Sequence, residues 1–408
     1  MKQHLVKAFS WVLTANLARQ VSFLVVNAIL FERLSRSTFG ALTLAFGYML
    51  VFAGFGEFGV RQIGWRDIAR DPEHTTELSG LFFGARTVST SITMLAYLAL
   101  MPVLWNRGLP PVIYLVYVLG IFFNGGTFDF PLFGRNRVDL YARYSLLGFG
   151  AYLLGCVLLV TSDARAWIVP ALFASSMGLM FILELRWFHS NHGRLMLDFR
   201  ASQILGVYRE SWPLGLSETL NRVAANYPLI LIGLVLGSAG VANYRIAELA
   251  YSFLAQLGLI FATAAFSHMA HMYQHQRSAL RHTVVRMLAI AVVGSLLAGA
   301  ALALVAPIGY RMAFGSLAPQ TVSVLRLLGL ALVFAGPVRF LRSLLASIDR
   351  QQILLTLSAV EVAIGVILGS LMMRTKGIAG MAIGVAVSET LTFLILLMVY
   401  RRTLRLAE

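Results

Sequence analysis

Residues 211–256 read SWPLGLSETLNRVAANYPLILIGLVLGSAGVANYRIAELAYSFLAQ. Two apolar segments, near 212–236 and 243–265, meet at the turn Gly237-Ser238-Ala239-Gly240. A helix needs about 20 residues to cross a hydrocarbon core, and each segment has that length. Yet each carries charge inside its apolar run: Glu218 and Arg222 in the first, Arg245 and Glu248 in the second. An arginine at mid-bilayer costs at least ~2.5–3.5 kcal/mol, so such residues mark a solvated interior rather than a lipid-facing surface. The stretch predicts two membrane-spanning helices beside a polar, basic passage.

The rest of the chain agrees. Its 408 residues are 58% hydrophobic and only 12% charged, with a mean hydropathy of +0.77. Soluble domains average about 25% charged residues, so the composition is that of an integral membrane protein. The single cysteine, Cys156, excludes an intrachain disulfide and a cysteine metal site. The N-terminal MKQHLVKAFSWVL is basic and then apolar, like a signal peptide. The apolar run continues through Leu30 without a small-residue cleavage site, so it reads as a retained first span.

A window of about 19 residues predicts twelve spans, near 9–30, 39–60, 80–104, 112–133, 141–161, 166–187, 212–236, 243–265, 284–306, 321–342, 352–373 and 378–400. An even number puts both termini on one side. That side holds 21 of the 33 Lys and Arg, the other side 8 and the spans 4. The excess places both termini in the cytoplasm. Much of the +15 net charge is thus a topology signal and needs no nucleic acid to explain it. The polar cytoplasmic loop at about 188–211 divides the chain into six spans before and six after, 1–200 and 201–408. Ser10-Trp11 opens the first half and Ser211-Trp212 the second, and Arg19 and Arg222 follow at similar distances. Both halves start on the same side, as parallel repeats do.

Helical geometry groups the intramembrane polar residues into stripes. Asn16, Gln20 and Asn27 share a face of the first span with Arg19 beside them. Glu218, Asn221, Arg222 and Asn226 line the seventh, and Arg245, Glu248, Ser252 and Gln256 the eighth. At about 1.5 Å per residue Arg19 and Arg222 fall near mid-membrane, Arg245 nearer the outer end, and Arg61 and Arg86 nearer the inner end. A ladder of guanidiniums would attract a multiply charged anion, and the planar fork suits phosphate. The plainer alternative pairs each cation internally: Glu248 with Arg245, Glu57 with Arg61, Glu218 with Arg222. Acidic residues inside spans, among them Asp129, Glu218, Glu361 and Glu389, are candidates for binding a coupling proton or sodium ion. Glu361 and Glu389 have the alternative of pairing with Arg326.

Other patterns are structural. His268, His271 and His275 share a helical face but lack an accompanying carboxylate or cysteine, so they read as a basic interfacial helix and not a metal site. Gly233xxxGly237, Gly365xxxGly369 and Gly380xxxGly384 are small-residue packing motifs. No span-to-loop junction carries a nucleotide-binding Gly-Lys-Ser/Thr loop.

Four stretches resemble a known family: FGALTLAFGYMLVFAGFGEFGVRQIGWRDIARD at 39–71, FDFPLFGRNRVDLYA at 128–142, the 211–256 stretch itself, and GPVRFLRSLLASIDRQ at 336–351. The chain resembles the Wzx-type polysaccharide and O-antigen flippases of the multidrug/oligosaccharidyl-lipid/polysaccharide exporter superfamily. It departs from them at Asp129-Phe130, where the family usually has Trp-Phe. The resemblance implies an all-α protein of two six-helix bundles around a central cationic cavity. It implies movement of an undecaprenyl-diphosphate-linked oligosaccharide to the periplasmic leaflet by alternating access, for lipopolysaccharide-type surface glycans. By position, Arg19, Arg61, Arg222 and Arg245 would bind the diphosphate or sugar, with Asn16, Gln20, Asn221 and Glu248 beside them. No cofactor is expected. The expected partners are the lipid-linked oligosaccharide, membrane lipids, and a glycan polymerase and chain-length regulator of the same pathway.

Three rivals remain. A drug/cation antiporter of the superfamily should concentrate carboxylates in its cavity. A peptidoglycan-precursor flippase usually has two further spans. A glycan polymerase or ligase needs a large periplasmic catalytic loop, and the longest expected here, 307–320, has no His and no acidic residue. The chain therefore reads as a transporter and not an enzyme.

Overall fold

The computed structural model describes the backbone of residues 2–105, 110–275, 277–315, 319–347 and 351–405. Side chains are described for these except 2–9, most of 263–281, and those at 313–314, 346–347, 351–352 and 402–405. Among the described residues the structure is helical throughout, with no strand. Eleven helical stretches are long and apolar enough to cross a membrane. One of them, Ala201–Ala262, is broken at Gly237 (φ 76°, ψ −178°), which makes twelve spans, as expected. Backbone in this region costs an L-residue roughly 1–3 kcal/mol, so glycine belongs at this break.

Contacts divide the chain into two compact units, Met1–Asn226 and Tyr227–Glu408. The division falls inside the seventh span, whereas the loop composition suggests one near residue 200. The first unit contains α1 (Lys2–Arg33), α2 (Arg36–Glu57), α3 (Val60–Arg70), α4 (Thr75–Leu104), α5 (Pro111–Gly125), α6 (Phe130–Gly134), α7 (Val138–Leu159) and α8 (Ile168–His192). It also takes the first part of α9 (Ala201–His275). Its membrane core is aromatic: Phe23, Phe46, Phe149, Tyr152 and Phe173 interlock with ring centroids 5.2–6.2 Å apart. A second cluster joins Val60, Ile63, Phe82, Phe128, Phe130, Phe188, Ile204 and Val207.

Several boundaries differ from the sequence reading. The second span ends at Glu57 because Phe58 (φ 42°) and Gly59 (φ 74°) turn the chain left-handed into α3, an amphipathic helix the hydropathy window misses. The fourth span, Pro111–Gly134, has the expected bounds but is interrupted: α5 ends at Gly125 and residues 126–129 are unwound before the short α6. The loop between the halves shrinks to 193–200, since α8 runs on to His192 and α9 starts at Ala201. The outer loop expected at 307–320 is helical to Phe314.

The second unit adds α10 (Arg277–Ala300), α11 (Ala306–Phe314), α12 (Pro319–Ser347), α13 (Gln351–Lys376) and α14 (Ile378–Arg405) to the rest of α9. A π-helical turn at Ala301–Val305 joins α10 to α11 just before Pro307. Proline cannot donate an amide hydrogen bond, and a widened turn accommodates that. Lipid offers no hydrophobic drive for helices to associate, so close packing of small residues takes over. Gly384 lies against the backbone of Gly369, and Gly380 against that of Met372, which seats α14 on α13. The GxxxG expectation thus holds for Gly380 and Gly384 and for Gly369, whereas Gly365 lies against the Tyr227 side chain; a Cβ on Gly237 would meet no described atom within 4 Å, and that glycine serves as the break instead.

Candidate functional site

The site in the first unit is set by how the start of α9 crosses α2. A side-chain Cβ on Gly59 would lie 2.6 Å from the Gly215 amide nitrogen, so backbone meets backbone at this point. Two turns along α9 the aliphatic stem of Arg222 lies over Gly54, and further on the Asn226 side chain reaches Gly47. The glycine spacing of α2 therefore holds α9 close enough to deliver Arg222 to two polar partners. Its Nη2 donates to the Glu57 carboxylate and its Nη1 to Asn124 Oδ1 at 3.1 Å.

The break after α5 builds the rest. A helix C-terminus leaves carbonyls without partners, and inside a membrane these must be satisfied by protein. Arg86 of α4, fully buried, does this: its guanidinium donates to the carbonyls of Gly125 and Thr127 and to the Thr127 hydroxyl. From the other side Glu184 Oε2 accepts the Phe128 amide at 3.1 Å. Asp129, carried out of the break, takes Arg61 in a two-point pair, Nε to Oδ1 at 3.0 Å and Nη2 to Oδ2 at 2.6 Å. Glu57 stands 4.0 Å from Arg61 Nη1, between Arg61 and Arg222.

The expected ladder of unengaged cations is therefore only partly present. Arg61 and Arg222 are bound to carboxylates, Arg222 by Glu57 rather than the nearer-in-sequence Glu218. Arg245 is bound to Glu248, which also accepts from Ser252. Among the described residues Arg19 has no carboxylate partner; its Nη2 donates only to Asn16 Oδ1, at 3.1 Å. A guanidinium has five N–H donors, and Arg222 and Arg19 use two and one. Gln20 and Glu218 are half-buried and Asn221 is exposed. Four carboxyl groups, Glu57, Asp129, Glu184 and Glu218, stand with Arg61, Arg86 and Arg222 in this unit.

In the second unit Arg342 pairs with Glu361, and Tyr251 Oη donates to Glu389 Oε1 at 3.0 Å. Arg326, the partner proposed from sequence, is exposed. Glu389 Oε2 is buried with no hydrogen-bond partner among the described residues. The sequence placed Arg86 in the cation ladder, but it is fully buried and spends its donors on the α5 break; Asn124, Glu184 and Arg342 it left unassigned. The Gly125-Gly126 pair was a readable signal for the break that recruits Arg86 and Glu184; Arg342 has no such signal. The side chains of His268, His271 and His275 lie outside the described residues. Among the described residues no group of three or more His, Cys, Asp or Glu could hold a metal ion.

This geometry can be set beside known proteins. Residues 5–273 match the model of the polysaccharide biosynthesis protein family. A search of curated proteins finds no match. Among solved structures, an inward-facing multidrug resistance MATE family transporter of the MOP superfamily is 18% identical, with 95% of each chain covered and a TM-score of 0.74. The MATE multidrug transporter DinF-BH is 19% identical over 98% of this chain and 96% of its own, with a TM-score of 0.72. A mutant of the Vibrio cholerae MATE transporter VcmN is 16% identical over 99% and 97%, with a TM-score of 0.66. At these identities the structures speak for the fold alone. On the family match over most of its length, carried on a MATE-like fold, the chain belongs to the polysaccharide biosynthesis protein family.

Proposed function

We propose that this protein is a flippase that moves a lipid-linked oligosaccharide, joined to its undecaprenyl carrier through a diphosphate, from the cytoplasmic to the periplasmic leaflet by alternating access. The observation that carries the reading is Arg19, an intramembrane guanidinium bonded to Asn16 and to no carboxylate among the described residues. A cation left without a counter-ion in a spanning helix is costly unless water or an anion completes it. A diphosphate supplies that anion, and bidentate guanidinium–phosphate contacts are among the stronger hydrogen bonds. Arg222 is the second ligand, released to the headgroup when Glu57 lets go, while Arg61 stays with its carboxylates. Within the first unit Asn16, Gln20 and Asn221 are assigned to sugar contact; within the second, Glu248, held by Arg245, is assigned the same role. Coupling to a proton is assigned to Glu389, whose Oε2 has no hydrogen-bond partner among the described residues. Asp129 is the weakest coupling candidate because Arg61 occupies both its oxygens. A glycan polymerase and a chain-length regulator act on the product.

The test is flipping of a fluorescent lipid-diphosphate-linked oligosaccharide in proteoliposomes. Arg19→Ala should slow it at least ten-fold and Arg222→Ala several-fold, with protein levels unchanged. Glu389→Gln should remove its dependence on a pH gradient. Normal transport by both arginine variants would end the assignment.

The four carboxyl groups that stand with Arg61, Arg86 and Arg222 favour one second reading, export of organic cations. Efflux of a cationic dye from the same proteoliposomes, without oligosaccharide flipping, would establish it instead.

A further inference from the structure

The segment joining α8 to α9 is pinned to α4 in a way its role as a linker does not require. The Asp198 amide donates to the Gly80 carbonyl at 3.3 Å, and Thr76 Oγ1 donates to the His192 carbonyl at 3.1 Å. The carbonyls of Met196 and Asp198 lie directly over Gly80 and Gly84, where any Cβ would collide with them. Residues 193–200 thus run as an extended strap across α4, seated on two glycines one turn apart. The start of α9 continues the attachment: Tyr208 Oη donates to the Ala85 carbonyl at 2.6 Å, and Ile204 and Val207 are buried.

The strap's position is what makes its outer face informative. Gly80 and Gly84 lie five and nine residues into a membrane-spanning helix, roughly 8–14 Å along its axis. At 100° per residue they share an arc of about 60° with Leu95 and Leu98, which are exposed on the same helix. Leu95 and Leu98 face lipid; on the same face nearer the start of the helix, the strap stands where lipid would otherwise be. Four of its outward side chains are apolar, Met196 at 78% exposure, Phe199 at 53%, Leu197 at 43% and Leu205 of α9 at 66%; among them Arg200 is also exposed, its charge paired with Asp198. Arg194 and Arg209 are exposed on either side of these residues, and neither has a carboxylate partner among the described residues. Apolar and aromatic side chains at the acyl boundary with arginines beside them are the composition of an interfacial lipid-binding element.

We propose that residues 193–209 form a strap that inserts Met196, Leu197, Phe199 and Leu205 at the acyl boundary of one leaflet and binds anionic phospholipid headgroups through Arg194 and Arg209. By the excess of Lys and Arg on that side, the leaflet is the cytoplasmic one. The strap anchors the first unit to lipid between α8 and the start of α9.

Spin labels on single cysteines test the placement, in a Cys156→Ala background reconstituted in phosphatidylglycerol nanodiscs. Labels at Met196→Cys and Phe199→Cys should be several-fold more accessible to oxygen than to a water-soluble nickel chelate, with Glu73→Cys showing the reverse. Equal nickel access at all three sites would overturn the proposal. Should a variant fail to fold, a phospholipid with an acyl-chain diazirine can be photolysed with the wild-type protein. Label on the peptide spanning 194–200 supports the strap, and its absence refutes it. Headgroup choice is read from thermal unfolding: phosphatidylglycerol should raise the midpoint over phosphatidylcholine, and Arg194→Gln with Arg209→Gln should remove most of that rise. An undiminished rise would place the anionic lipid elsewhere and reject this part of the proposal.

Discussion

Arg86 shows how a charge can be structural inside a membrane. It is fully buried, yet its donors go to backbone carbonyls and a hydroxyl at the α5 break rather than to a carboxylate. Replacing it with Met leaves those acceptors unpaired, which we expect to cost on the order of 2–5 kcal/mol. Thermal unfolding in detergent would read the loss, and Arg86→Lys should recover only part of it because an ammonium lacks the fork. Outside the membrane, Asp71 and His74 make an exposed pair at 2.8 Å. The carboxylate raises the imidazole above its ordinary value of 6.5, and the imidazole lowers Asp71 below 3.8. The pair is complete between those two shifted values. Its contribution is lost as pH rises through the raised His74 value or falls through the lowered Asp71 value. An NMR titration should find His74 above 6.5 in the wild type and near it in Asp71→Asn; a wild-type value at or below 6.5 would contradict the pairing.

At the scale of elements, the decisive contact is between the α2–α3 turn and the start of α9. Gly59 is constrained twice, by its left-handed φ and by the Gly215 amide against it. Gly59→Ala must therefore push α9 outward, at an expected cost of about 1–3 kcal/mol, and pull Arg222 away from Glu57. Gly237→Ala carries the backbone strain alone, on the order of 1–3 kcal/mol at φ 76°, ψ −178°, because no described atom crowds that glycine. The comparison is informative: Gly59→Ala should lose transport out of proportion to its stability, and Gly237→Ala should not. Equal transport in the two variants would show that the α2–α9 contact does not position the site. The hydropathy pattern found both helices here but not the turn between α2 and α3. A window that averages about 19 residues blurs two left-handed residues into a continuous apolar run.

Across the whole molecule, the compact units part at Asn226 and Tyr227 rather than in the polar loop. Residues 211–226 pack on Gly47 and Gly54 of α2 and on Gly59 in the turn after it, so the first unit is incomplete without them. A fragment ending at 236, just before the break at Gly237, should purify as a monodisperse species. One ending at 200 should aggregate or be degraded. Size-exclusion profiles of the two fragments decide the matter, and equal behaviour would mean that the start of α9 is dispensable to the first unit.

Span number and helix type were legible in the residues because a bilayer tolerates few backbone solutions and charges are expensive inside it; length and hydropathy are enough to locate them. Intramembrane polar stripes were legible for the same reason, and so was the break at Gly237, from its small-residue turn. Which carboxylate holds which arginine was not. Arg222 reaches Glu57 across helices although Glu218 lies one turn away, and Arg86 serves a helix end thirty-nine residues distant. Such pairings depend on how closely two helices approach, and that is set by glycines on one helix meeting backbone on another, which a one-dimensional pattern does not encode.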